Sequence, residues 1–141
     1  MFFSVIVPVY NRRDEIEELL KSLAEQDKKN FEVIIVEDGS TDPCGDIVER
    51  WAATGQVEAH YFFKDNEGRS IARNHGIERA RGEYFIFFDS DCVIPSGYFT
   101  ALTTALEKNP VPCFGGPDSA SDDFTDVQKA INFSMTAFLT P

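Results

Sequence analysis

Three apolar runs constrain this chain more than any other feature: FFSVIVPV at Phe2–Val9, FEVIIV at Phe31–Val36 and EYFIFF at Glu83–Phe88. Each is rich in β-branched and aromatic residues and stops at a polar cluster, so each reads as a strand ending in a loop. Val57–Phe63 has the same character. Between the strands, apolar residues recur at helical spacing. Ile16, Leu19, Leu20 and Leu23 form the first such stripe, opened by Asp14 and followed by Glu15, Glu17 and Glu18, where a helix dipole favours acid. Pro43 suits the first turn of a second helix to about Thr54, with Ser40 or Thr41 as its cap. Ile71, Ala72, Ile77 and Ala80 mark a third helix, and Pro95 begins a fourth that runs to about Lys108. Val111–Phe114 then reads as a short fifth strand, the polar stretch 118–126 as a loop, and 123–139 as a last helix.

Strand and helix in alternation predict an open, mostly parallel, Rossmann-like α/β sheet with helices on both faces. Nearly continuous apolar strands are expected where both faces are covered. In such sheets ligands bind at the carboxyl ends of the strands, where the strand order reverses. An order of 3-2-1-4, plus the short extra strand, brings three polar clusters to one crevice: Tyr10–Asn11, Asp38, and Asp89 with Asp91.

Composition narrows the partners. A chain of 141 residues fits one domain, 1–141. The net charge of −11 argues against nucleic acid, whose phosphates need Lys and Arg. An anionic substrate would need a local device here, such as a metal or a placed arginine. Cys44, Cys92 and Cys113 are odd in number and lack CxxC spacing, and His60 and His75 are too few and scattered for a zinc site. With no leader-like start and no bilayer-length apolar segment, the expected location is cytoplasmic, and peripheral membrane association of a longer protein is compatible with it.

Asp89 and Asp91 end an otherwise apolar stretch with only Ser90 between them. Two like charges about 4 Å apart repel by roughly 4 kcal/mol at a protein-surface dielectric, so solvent, a cation or protonation must offset them. Solvated strand-end aspartates and ligands for a hard divalent cation both fit the pattern. Asp38 closes a strand within VEDGSTD, a turn-forming sequence, and a carboxylate there suits hydrogen bonding to a base or ribose. Arg69 and Arg73 fall four apart on one helix face, as donors for a phosphate or as a solvated, ion-paired surface. Cys92 reads as a small buried residue, with no histidine nearby in sequence to activate it.

Taken in order, VIVPVYNR, VEDGSTD and NEGRSIARNHGIERARGEYFIFFDSD resemble the family 2 glycosyltransferases of the GT-A fold, from Phe3 to about Leu106. The resemblance implies transfer of a sugar from a nucleotide-sugar donor, most often a UDP-sugar, to a hydroxyl of a saccharide, lipid or protein acceptor, as in cell-surface polysaccharide biosynthesis. It implies that Pro8, Tyr10 and Asp38 hold the nucleobase and ribose and that Arg73 lies near the nucleotide. Asp89, Ser90 and Asp91 match the DXD motif. Asp91 is implied as the direct ligand of a Mg²⁺ or Mn²⁺ that bridges the diphosphate, with Asp89 on the ribose side and as a further metal ligand. The family's catalytic base comes from well after this motif, so it is expected beyond Pro141, and the chain is expected to be the donor-binding part of a longer enzyme. The apolar INFSMTAFLT at 131–140 would then pack on further chain or pair in a homo-oligomer. Two alternatives come from other classes. DSDCVI also fits the haloacid-dehalogenase-like phosphatase pattern, with Asp89 as nucleophile and Asp91 as general acid/base, though that needs the strand early in the chain. A non-catalytic nucleotide-binding module is the other.

Overall fold

The computed structural model describes residues 1–115. Strands β1 (Phe3–Val9), β2 (Phe31–Asp38), β3 (Ala59–Lys64) and β4 (Tyr84–Phe87) form one parallel sheet in the order β3-β2-β1-β4. The connecting helices are α1 (Arg13–Ala24), α2 (Gly45–Ala53) and α3 (Arg69–Ile77), with α4 (Tyr98–Lys108) after β4. All eight elements lie within the compact unit Met1–Lys108. This is the predicted α/β sheet, with the strand order reversing between β1 and β4.

The register explains the layers, because paired residues of parallel strands share a face. Ile34 and Val36 pack against Ala72 of α3 on one face, with Phe62 alongside. On the other face Phe3 and Phe31 meet Phe99 of α4, the Phe31 and Phe99 rings stacking with centroids 4.1 Å apart. Tyr61 of β3 meets α2 at Gly45 on that same face. Every residue of β1 and β2 is buried, and each fully buried Val or Ile contributes about 1.5–3 kcal/mol relative to exposure.

Cover on both faces holds for β1 and β2 but not for β3 and β4. Phe63 is 51% exposed, Phe85 40% and Phe87 45%. β3 and β4 are the outer strands of this sheet, and α3 lies over β1 and β2. The expected fifth strand at Val111–Phe114 is not formed, and residues 109–115 are irregular. Pro110 and Pro112 remove two backbone donors that such a strand would need. Nor do Ser40 and Thr41 cap α2, which starts later, at Gly45 after Cys44. The expected loop at 118–126, helix at 123–139 and apolar face at 131–140 lie outside the described residues. No helix among the described residues is long and apolar enough to cross a membrane.

Pro8 sits inside the ladder opposite Val36. A strand residue points its N–H and C=O to the same side, and Ile6 C=O accepts from Phe88 N–H on the β4 side. Pro8 has the same parity, so its missing N–H faces the side on which β4 has already ended at Phe87.

At the amino ends of the strands, a buried carboxylate fixes the entry to β4. Glu32 (1% exposed) accepts from Ser4 Oγ at 2.6 Å and from Arg81 N–H at 2.8 Å through Oε1, and from Arg81 Nε at 2.9 Å through Oε2. Burial pushes its pKa up, but the hydrogen bonds from Ser4 and Arg81 outweigh burial and hold it below the usual carboxylate range. Gly82 N–H donates to Ser4 Oγ at 2.8 Å, and a Cβ on Gly82 would lie 2.5 Å from Ser4 N. Gly82→Ala is therefore expected to force β4 away from β1 and destabilise the fold by roughly 1–3 kcal/mol, read as a lowered urea midpoint at unchanged slope.

Candidate nucleotide and metal site

The carboxyl ends of β1, β2 and β4 carry the predicted site residues. Pro8 is buried in β1, and Tyr10, just past the strand, is 53% exposed. Asn11 follows in the left-handed region (φ 51°), which Asn tolerates. Its N–H donates to Ser40 Oγ at 2.7 Å, and its Oδ1 accepts from Thr41 N–H at 2.9 Å. Ser40 in turn donates to Glu37, a fully buried residue whose other oxygen accepts from Cys44 N–H at 2.7 Å. The loops after β1 and β2 are thus joined. Burial, with the Glu37 carboxylate beside it, pushes the Cys44 thiol up, so it stays protonated and unreactive.

Asp38 closes β2 and is 3% exposed. Its carboxylate is no lone acceptor: Oδ1 accepts from Lys64 Nζ at 2.9 Å and Glu67 N–H at 3.0 Å, and Oδ2 from Gly68 N–H at 2.9 Å. Burial pushes its pKa up, and the bonds from Glu67, Lys64 and Gly68 more than reverse that, leaving it depressed. Gly39 follows with φ 74°, and a Cβ there would lie 2.6 Å from Asn66 N. The close approach of the loop before α3 therefore requires glycine. In consequence Asp38 sets the start of α3, the helix that carries Arg69 and Arg73.

β4 ends at Phe87 and the chain turns through Ser90–Asp91, with Cys92 N–H donating to Asp89 C=O at 3.2 Å. Ser90 faces inward, 9% exposed, and its hydroxyl donates to Glu15 Oε2 of α1 at 2.8 Å. Farther on, Ile94 N–H donates to Ser22 Oγ at 3.0 Å, and Gln26 Nε2 donates to Pro95 C=O at 2.9 Å. With the serine turned in and the following loop held on α1, both aspartates are left exposed.

Of the predicted residues, the structure brings Arg73 and Asp89 into direct contact. Arg73 Nη2 donates to Asp89 Oδ1 at 3.0 Å, Arg69 Nη1 lies 3.9 Å from the same oxygen, and the Arg73 guanidinium sits 6.0 Å from the Phe87 ring centroid. Arg73 Nε is buried without a hydrogen-bond partner. Asp91 makes no hydrogen bond or ion pair with the described residues. The repulsion within the pair is therefore offset by an arginine at Asp89 and by solvent at Asp91. Asp91, exposed and without a partner among the described residues, and Asp89, whose Oδ2 lies outside the Arg73 bond, offer carboxylate oxygens of the kind a hard divalent cation takes.

Three functional supports were hidden from sequence reasoning. Glu15, Glu37 and Ser90 read as helix-start acid, strand-end acid and spacer; Ser90 and Glu15 meet across 75 residues, and Glu37 reaches Ser40, Cys44 and Tyr61, 3, 7 and 24 residues away. A second acid cluster lies at the opposite end of the sheet. Glu32, Glu58 and His60 place one ligand atom each within 4.8 Å, beside a cavity of about 390 Å³ lined also by Ile34, Phe62, Arg79 and Arg81. Arg81 already pairs with both carboxylates there, so the cation position is filled by the protein itself.

Asp38 gives a pH signature. Its folded pKa lies below its unfolded value, so its stabilisation is complete above about pH 4 and is lost as pH falls through the depressed folded value. Asp38→Asn is expected to lower stability at pH 7 and to flatten the acid limb of a urea-midpoint profile between pH 7 and 3. A profile parallel to the parent's would contradict this assignment.

Comparison with known proteins agrees with this fold. The model of the family described as "Glycosyl transferase family 2" matches residues 4–140. An uncharacterized glycosyltransferase of Rickettsia conorii, RC0461, is 46% identical over 106 residues, which is 75% of this chain and 17% of that protein. The crystal structure of S. aureus TarS 1–349 in complex with UDP superposes with a TM-score of 0.72 at 34% identity, covering 84% of this chain and 39% of that one. The mannosyltransferase PcManGT of Pyrobaculum calidifontis, in complex with GDP-Man and Mn²⁺, gives 0.67 at 30% identity, covering 82% and 36%. The chain therefore spans well under half the length of each of these proteins. The family match displaces the phosphatase alternative for Asp89. With its sheet order, its outward acidic turn and a family match over nearly its whole length, the chain belongs to glycosyl transferase family 2.

Proposed function

We propose that this chain binds the nucleoside diphosphate of a sugar donor, with a UDP-sugar as first candidate, at the carboxyl ends of β1, β2 and β4. The observation that carries the reading is the turn after β4: Ser90 anchored inward on Glu15, with Asp89 and Asp91 both exposed and Arg73 bonded to Asp89. The UDP held by TarS and the GDP-Man and Mn²⁺ held by the mannosyltransferase support the ligand class. Asp91, with Asp89 as a further ligand, would hold a Mg²⁺ or Mn²⁺. When bound, that ion neutralises charge on the departing diphosphate. Arg73 and Arg69 add fixed positive charge near the phosphates, offsetting the repulsion that a chain of net charge −11 exerts on an anionic ligand.

The base and ribose fall to the β1 and β2 side. Exposed Tyr10 offers a ring, buried Pro8 shapes the wall, and Asp38 acts chiefly by fixing the loop that starts α3. Within a longer protein we propose transfer of the sugar to an acceptor hydroxyl, and for the 141-residue chain itself, donor binding.

Calorimetry with UDP and GDP, each with and without Mn²⁺, tests the proposal. UDP is expected to bind more tightly with Mn²⁺, and Asp91→Asn is expected to remove that metal-dependent gain, a loss of about tenfold or more. A folded sample with no affinity for either nucleotide in the presence of Mn²⁺ would overturn it.

A further inference from the structure

We infer that Arg73 is a counter-cation of Asp89 that competes with a divalent ion for that carboxylate, and that a bound nucleoside diphosphate relieves the competition by drawing the guanidinium to itself. The inference rests on the proposed nucleotide site and adds a coupling between that site's two ligands.

The contact has the features of an exchangeable partner. Arg73 spends one hydrogen bond, Nη2 to Asp89 Oδ1, on a carboxylate whose side chain is 52% exposed, and its own side chain is 34% exposed. Arg69 approaches the same oxygen at 3.9 Å, so both arginines concentrate positive charge on Oδ1, while Asp91 has no partner among the described residues. Arg73 Nε, buried and without a hydrogen-bond partner, is a second donor held in reserve at the site. A guanidinium has five N–H donors in a planar fork, which suits a phosphate oxygen better than one carboxylate oxygen.

Contrast Arg81, at the far end of the sheet. It meets Glu32 through backbone N–H, Nε and Nη2, against a carboxylate that is 1% exposed. The difference lies in the carboxylate: Arg81, itself 58% exposed, gives three donors to a buried acid, whereas Arg73 gives one to an acid that is half exposed.

The consequence is electrostatic. A divalent ion approaching Asp89 and Asp91 alone meets the Arg73 and Arg69 charges and binds weakly. A nucleoside diphosphate brings negative charge that pairs with both the ion and the arginines, so each ligand strengthens the other, and by linkage to the same extent. Arg73 is thus a positioning residue that makes metal binding conditional on nucleotide.

The test compares the parent chain with Arg73→Gln and Arg73→Lys, after thermal unfolding confirms that each is folded. Mn²⁺ is titrated by electron paramagnetic resonance, with and without UDP. Without UDP, Arg73→Gln is expected to bind Mn²⁺ about fivefold to tenfold more tightly than the parent, because a repelling charge is gone. Arg73→Lys is expected to stay near the parent. With UDP, the gain in Mn²⁺ affinity on adding nucleotide is expected to shrink in Arg73→Gln. A merely structural role would weaken Mn²⁺ binding or leave it unchanged, and either result without UDP overturns the inference. Loss of all UDP binding by the parent chain would instead overturn the proposed function, while the nucleotide-free titration would still decide the role of Arg73.

Discussion

The carboxylate of Asp38 joins the loops at the carboxyl ends of the strands. It takes two backbone N–H groups and a lysine from residues 64–68, and that loop is the root of α3. From α3, Arg73 reaches Asp89; from the turn after Asp89, Ser90 reaches Glu15 on α1. α1 begins after Asn11, whose amide returns to Ser40 in the loop after Asp38. The contacts close a circuit around the crevice that links Asp38 to the acidic turn.

Two ion pairs of similar composition serve opposite ends of the sheet, and burial decides which is structural. Glu32 is sealed among Ser4 and three groups of Arg81, so its charge is always compensated and its pKa is held down. Asp89 is half exposed with one arginine bond, the kind of pair whose net worth is about 0–1 kcal/mol. A ligand can displace the second arrangement at little cost. It cannot displace the first without leaving a buried carboxylate unpaired. Glu32 is for the same reason part of the scaffold, whereas the Asp89–Asp91 turn is exposed to a ligand.

Much of this was legible in sequence. The apolar runs at Phe3–Val9 and Phe31–Asp38 identify themselves because they are buried on both faces, and their polar ends mark the crevice. β4 was legible as a strand but not as a half-exposed one, because Tyr-Phe-Ile-Phe looks the same whether or not a helix covers it. Val111–Phe114 looked like a strand by hydrophobicity, and its prolines decided otherwise. The direction of side chains was the least legible part. Asp38 reads as an acid aimed at a ligand and proves to be tied to loop amides, while Ser90 reads as a spacer and proves to be the anchor. Partners such as Ser90–Glu15, 75 residues apart, leave no local trace. The family resemblance supplied the order of motifs but not these tethers.

Metal and nucleotide are proposed to meet at the outward acidic turn. Paramagnetic broadening of backbone amide signals in a ¹⁵N-labelled chain, with UDP and substoichiometric Mn²⁺, tests this most directly. The account requires the broadening to centre on residues 89–92 and the first turns of α3, with amides at Glu32, Glu58 and His60 left sharp. Broadening centred on Glu32, Glu58 and His60, or none above that of a chelated control, would contradict it.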